Sequence, residues 1–138
     1  MSYNFYADID KFNSMYSLPM PSTPTTAFEP VAARQAGFKE VLTDEVNEVD
    51  EIIAEAGKDE LDDLVALADW LGDIVVYATS EARRYGIPLE AVLEIIMQSN
   101  FSKLGADGKP IIANHKVQKG PGYWKPEPKI KELLQRLM

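Results

Sequence analysis

Between Asp59 and Ala82 the sequence holds no lysine, arginine or proline. Over the same stretch Leu61, Leu64, Val65, Leu67, Ala68, Leu71, Ile74, Val75, Val76 and Ala78 spread around almost the whole circumference of the helix they would form. A helix apolar all round belongs inside a bundle, buried on most of its sides. Its one polar feature is a stripe of Asp62, Asp69, Asp73 and Ser80, about 40° wide on the helical wheel. With no cation on their own helix, these acids have no local partner.

The punctuation around this helix sets the rest of the architecture. Asp59 suits an N-cap with Asp62 three residues on, and Gly86 ends the helix, giving a span of 59–85. Upstream, Pro30 suits a first turn, and a helix over 30–56 runs to Gly57 with only Gly37 as a weak point. Downstream, Pro88 opens a third helix to about Ser102. Apolar residues Phe5, Ile9, Phe12, Met15 and Tyr16, three and four apart, predict a short amphipathic helix within 4–17. Residues 18–30 are proline-punctuated and without period, so they form an extended connection. After residue 102 come two Gly/Pro-rich turns, a possible hairpin over 110–117 and a last helix over 128–137. The expected fold is one all-α domain over 1–138, with a helical body at 30–102 and a loop-rich tail at 103–138.

One acid of the 30–56 helix stands out. With Glu45 at zero on the wheel, Phe38, Val41, Leu42, Val49, Ile52 and Ala56 fall within about 60° of it, so Glu45 lies in the buried seam. Glu48 flanks that seam one turn along, and Asp44 reaches in from the rim, whereas Glu40, Asn47, Asp50 and Glu51 face solvent. A carboxylate taken out of water protonates or finds a cation. Two readings remain open on this geometry. Glu45, Glu48, Asp69 and Asp73 converge and need a hard divalent ion, which oxygen-only ligands make Mg²⁺ or Mn²⁺. Alternatively, Glu45 pairs with Arg34, Arg83 or Arg84 and the aspartates are a wet face.

Composition removes several other chemistries. There is no cysteine, hence no disulfide, thiolate nucleophile or thiolate zinc site. A single histidine, His115, provides no catalytic triad with partners in view. The formal net charge of −8 offers little field for phosphate backbones, so no nucleic-acid partner is expected. No apolar run approaches the roughly 18 residues of a membrane span, and the first ten residues lack a signal-peptide layout. The reading is a cytoplasmic protein with no membrane partner.

Read in order, these residues resemble a known family. Asp44-Glu45-x-x-Glu48 followed by Ala68-Asp69-Trp70-Leu71-Gly72-Asp73-Ile74 resembles the all-α nucleoside triphosphate pyrophosphohydrolases, the MazG-like and phosphoribosyl-ATP pyrophosphohydrolase-like superfamily. The run Tyr85-Gly86-Ile87-Pro88, then Asn100-Phe101-Ser102-Lys103, Asp107-Gly108-Lys109-Pro110 and Lys116-Val117 through Tyr123 is similar to the tail of one branch of it. The resemblance spans about residues 5–128. It departs at the second acidic element, commonly Glu-x-x-Asp in the superfamily: three residues before Asp73 stands Trp70, and three before Asp69 stands Ala66. His115 likewise stands where the branch often has glycine.

The resemblance implies an oligomeric helical bundle, a homodimer or homotetramer, which agrees with a central helix too apolar for one subunit to cover. It implies Mg²⁺-dependent hydrolysis of a (d)NTP to the monophosphate and pyrophosphate, in a house-cleaning or nucleotide-pool role. Glu45, Glu48, Asp69 and Asp73 are then the metal ligands, with Glu45 or Glu48 also acting as base. Asn100, Lys103 and Lys119 are the implied substrate-binding residues, from a tail in which Lys103, Lys109, Lys116 and Lys119 cluster. Phe12, Tyr16 and Trp124 are the aromatic groups that could stack on a base, and Tyr123, Trp124 and Pro126 would pin the tail. The rival readings are a non-catalytic helical interaction module that keeps the bundle, and a pyrophosphohydrolase of a phosphoribosyl-nucleotide.

Overall fold

A computed structural model of the chain describes residues 2–138. It is predominantly helical and divides into two compact units, Met1–Gly86 and Ile87–Met138. The division falls inside the stretch 30–102 that the sequence analysis takes as one body. None of the described helices is long and apolar enough to cross a membrane.

In Met1–Gly86, helices α1 (Phe5–Met15), α2 (Val31–Asn47) and α3 (Val49–Glu55) all pack against α4 (Glu60–Arg84). Asn4 caps α1 by accepting from the Ala7 amide at 3.0 Å. The helix buries Ile9 and, unexpectedly for its polarity, Asn13. The reason is a reciprocal bond with α4: Ser80 Oγ donates to Asn13 Oδ1 at 2.6 Å, and Asn13 Nδ2 donates to the Ser80 carbonyl at 3.1 Å. Every buried polar atom in the pair is thereby satisfied.

The ends of α4 follow local rules. Asp59 accepts from the Asp62 amide at 2.9 Å, and Arg83 and Arg84 sit in the last turn, where cations suit the helix dipole. Gly86 then turns the chain at φ +69°, and a Cβ there would stand 2.7 Å from the Thr23 carbonyl oxygen. That close approach lets residues 18–30 strap the end of α4. Thr25 donates to the Tyr85 carbonyl at 2.9 Å, Arg83 to the Pro21 carbonyl at 2.8 Å, and Arg84 to Glu29 at 2.8 Å.

One expectation is corrected. The helix predicted over 30–56 breaks at Glu48, between α2 and α3, although no glycine or proline stands there. At the break the Glu48 amide bonds the Glu45 carbonyl and the Glu51 amide bonds the Glu48 carbonyl, both three residues back instead of four. Within one chain α4 is not covered on all its sides, and the sequence expects the rest of its cover from a second subunit. Leu61, Leu64, Val65, Leu71 and Val75 are all more than half exposed, because α1, α2 and α3 cover only part of its circumference.

In Ile87–Met138, α5 (Leu89–Phe101) packs with α6 (Glu127–Leu137), and a two-stranded antiparallel hairpin, β1 (Ile111–Ala113) with β2 (Lys116–Gln118), lies between them in sequence. Ile112 pairs with Val117, and Asn114 and His115 both take positive φ, the geometry of a two-residue hairpin turn. The segment before α6 is tied to the end of α5 through the main chain of Trp124: Ser99 Oγ donates to its carbonyl at 2.8 Å and its amide donates to Ser102 Oγ at 3.2 Å.

Candidate metal-binding and catalytic acids

Glu45 stands in the last turn of α2, and its side chain is buried as the wheel predicts. Its Oε1 has no hydrogen-bond partner. The Glu45 carboxyl is pushed above the usual carboxylate range. Burial is the main cause, followed by the charges of Glu48 and Asp73, a hydrogen bond shared with Glu48, and the charge of Asp69. The four acids named from the sequence therefore form one electrostatic neighbourhood, two from the end of α2 and two from α4. Glu48 and Asp69 are exposed and Asp73 is half-buried, while Asp44 is exposed at the rim.

The alternative in which an arginine neutralises Glu45 is excluded by where the arginines go. Arg34 grips Glu81 with two bonds, at 2.9 and 2.5 Å. Arg83 pairs with Asp10 at 2.7 Å, and Arg84 with Glu29 at 2.8 Å. Among the described residues no ion pair involves Glu45, Glu48, Asp69 or Asp73.

A buried carboxylate oxygen without a donor, ringed by negative charge, is chemically matched to a cation, and an all-oxygen donor set suits Mg²⁺ or Mn²⁺. As the side chains stand, no three acids among the described residues close on one ion-sized point. The acids influence one another electrostatically without forming a cage.

Beside these acids lies a cleft of about 450 Å³, lined by Phe12, Phe38, Val41, Tyr77, Arg34 and Asp73 among others. Asp73 thus belongs both to the acid cluster and to a mostly apolar recess. Phe12 lines the recess and packs on Tyr16, ring centroids 4.9 Å apart. The sequence places Phe38 in the apolar seam and singles out neither Phe38 nor Tyr77 as a ligand group.

Trp70 was noted in the sequence only as a departure. Its Nε1 donates to the Glu45 backbone carbonyl at 2.9 Å. An indole in place of an expected acid was the one available signal.

The implied substrate residues all lie in Ile87–Met138. Asn100 is exposed near the end of α5, and its carbonyl accepts from the Lys103 amide at 3.2 Å. Lys103 and Lys119, far apart in sequence, are brought to one aromatic ring: their Nζ atoms lie 5.9 and 5.1 Å from the Tyr123 centroid. Gly120 makes this possible, since its amide bonds the Lys103 carbonyl at 2.9 Å and any Cβ would overlap the Leu104 carbonyl. Lys109, Lys116 and His115 are exposed about the hairpin. Trp124 stacks under Lys129, whose Nζ is 4.0 Å from its ring.

No family model and no curated protein matches the chain. Among solved structures it is similar to a crystal structure from Exiguobacterium sp. 255-15, a protein provisionally assigned as an NTP pyrophosphohydrolase. The identity is 24%, the TM-score 0.51, and the match covers 99% of this chain and 96% of that one. The likeness is one of fold and extends over both units.

Proposed function

We propose that the chain is a Mg²⁺-dependent nucleotide pyrophosphohydrolase of the cytoplasm, acting on a (d)NTP and working as a homo-oligomer. The observation that carries this reading is Glu45: a buried carboxylate oxygen without a donor, among three further acids, on a fold shared with a protein provisionally assigned to that activity. Glu45, Glu48, Asp69 and Asp73 would hold the ion. Mg²⁺ bound there supplies charge neutralisation at the phosphates and lowers the pKa of water.

The chain's own residues supply the rest. Glu45 or Glu48 accepts a proton from the attacking water at a carboxylate oxygen; the water oxygen bonds the α phosphorus, and the bond from that phosphorus to the bridging oxygen breaks. Lys103 and Lys119 are the residues proposed to offset phosphate charge, with Asn100 as an amide contact. The recess beside Asp73 would take an apolar, planar portion of the substrate between Phe12, Phe38 and Tyr77.

Glu45→Gln and Asp69→Asn should each abolish pyrophosphate release from a panel of NTPs and dNTPs with Mg²⁺ or Mn²⁺. Both variants should melt, without metal, at or above the temperature of the wild type, since each removes a repelling charge. A wild type that releases no pyrophosphate and is not stabilised by Mg²⁺ with a non-hydrolysable triphosphate would leave the non-catalytic module as the reading.

A further inference from the structure

The break at Glu48 needs a cause. Residues 45–49, Glu-Val-Asn-Glu-Val, contain no glycine or proline, and helices that kink without these do so where another group enters the hydrogen-bond ladder. The group that enters here is the Trp70 indole. In an unbroken helix the Glu45 carbonyl would accept from the amide four residues on. Instead it accepts from Trp70 Nε1 at 2.9 Å and from the amide only three residues on, that of Glu48, at 3.2 Å. The Glu48 backbone stays helical at φ −60°, ψ −17°, and its own carbonyl again accepts from an amide three residues on, that of Glu51, at 3.2 Å.

This tightening matters for the acids. At three residues per turn, side chains at i and i+3 eclipse, whereas in an α-helix they are offset by about 60°. A tighter turn brings position 48 nearer to the face of position 45, and the charge of Glu48 is felt at Glu45. The donor belongs to the same stretch of α4 that carries the other two acids, next to Asp69 and three residues before Asp73.

We propose that Trp70 is a positioning residue: by drawing the Glu45 carbonyl out of the helical ladder, its indole N–H keeps the 45–48 turn tight and holds Glu45 and Glu48 in register with Asp69 and Asp73 as one divalent-cation site. The proposal rests on the reading of these acids as metal ligands. Trp70 acts through the backbone of Glu45, and its bond joins the acid-bearing end of α2 to the acid-bearing stretch of α4. The residue at the place of the missing acid thus serves the site by geometry instead of by charge.

Trp70→Phe keeps an aromatic ring on α4 and removes the donor. In the metal-free variant, the backbone ¹³C shifts at Glu48 should move to regular α-helical values. Mn²⁺ binding, followed by electron paramagnetic resonance without nucleotide, should weaken about tenfold, as expected for a lost outer-shell partner. If the phenylalanine variant does not fold, 3-benzothienylalanine at position 70 replaces N–H by sulfur at nearly the same shape and gives the same two readings. Unchanged Glu48 shifts overturn the proposal; so do altered shifts with unchanged Mn²⁺ affinity, which would make the indole purely structural. A wild type that binds no Mn²⁺ overturns the metal reading itself, and the Glu48 shifts then report separately on whether the indole holds the turn.

Discussion

Glu45 and Glu81 are both buried in Met1–Gly86, and their surroundings push them in opposite directions. Burial by itself raises Glu81, but two hydrogen bonds from Arg34, one from Gln35 and the charges of Arg34 and Arg84 outweigh it, leaving its carboxyl below the usual range. Glu81 therefore stabilises the fold above the ordinary carboxylate pKa, and this contribution is lost as pH falls through its lowered value. Glu45 does the reverse. Its raised pKa means that the folded state holds a proton the unfolded state releases, so metal-free stability falls as pH rises from the ordinary carboxylate range through the Glu45 value. Melting curves against pH should resolve the two. Glu81→Gln should lower stability at neutral pH by about 3 kcal/mol, since it strands the guanidinium of Arg34, and should flatten the acid limb. Glu45→Gln should remove the decline on the rising side.

Among the elements, α1 is held to α4 by the buried Asn13–Ser80 joint and, at its exposed edge, by the Asp10–Arg83 pair. Ser80→Ala would leave Asn13 Oδ1 buried with no donor, a cost of about 1–3 kcal/mol in urea denaturation, with an unchanged denaturant slope if only the joint is lost. This joint was not legible in the sequence. Asn13 and Ser80 lie in different helices, and although Asn13 stands one turn from Ile9 beside the apolar stripe, nothing near it in sequence names the partner that satisfies its amide. What was legible is local. The Asp59 cap, the stop at Gly86 and the turn ahead of α6 each depend on residues within a few positions of one another. Glu45 was legible too, since its burial follows from the wheel of α2 alone. The break at Glu48 was not, because its cause is an indole 25 residues away. Nor was the lack of a cation at Glu45, which depends on Arg34 choosing Glu81 across the α2 to α4 contact.

At the scale of the molecule, the open face of α4 is the dominant surface feature. Leu61, Leu64, Val65, Ala68, Leu71 and Val75 recur at three- and four-residue steps along one side, and the large members are 52–68% exposed. An apolar stripe of this length is rarely left to water on a soluble domain. Light scattering at micromolar concentration should give a dimer or a higher assembly. Leu64→Glu with Leu71→Glu should shift it to monomer; a wild-type monomer of 15.4 kDa would count against the homo-oligomer. Charge is also distributed unevenly. Most acids lie in Met1–Gly86, whereas more than half of the lysines and arginines lie in Ile87–Met138. The proposed metal ligands and phosphate contacts accordingly come from different stretches of the chain.

The glycine crossing in Ile87–Met138 has a practical consequence for engineering. The Gly120 amide on the Lys103 carbonyl and the Gly105 amide on the Lys109 carbonyl, at 2.9 and 2.7 Å, close the base of the excursion that carries the hairpin. Its tip, Asn114 and His115, is exposed and adds nothing to that closure. A peptide epitope or a fluorescent reporter grafted between those two residues would be carried by an anchored stem, since exposed loop tips are the places where insertions are best tolerated.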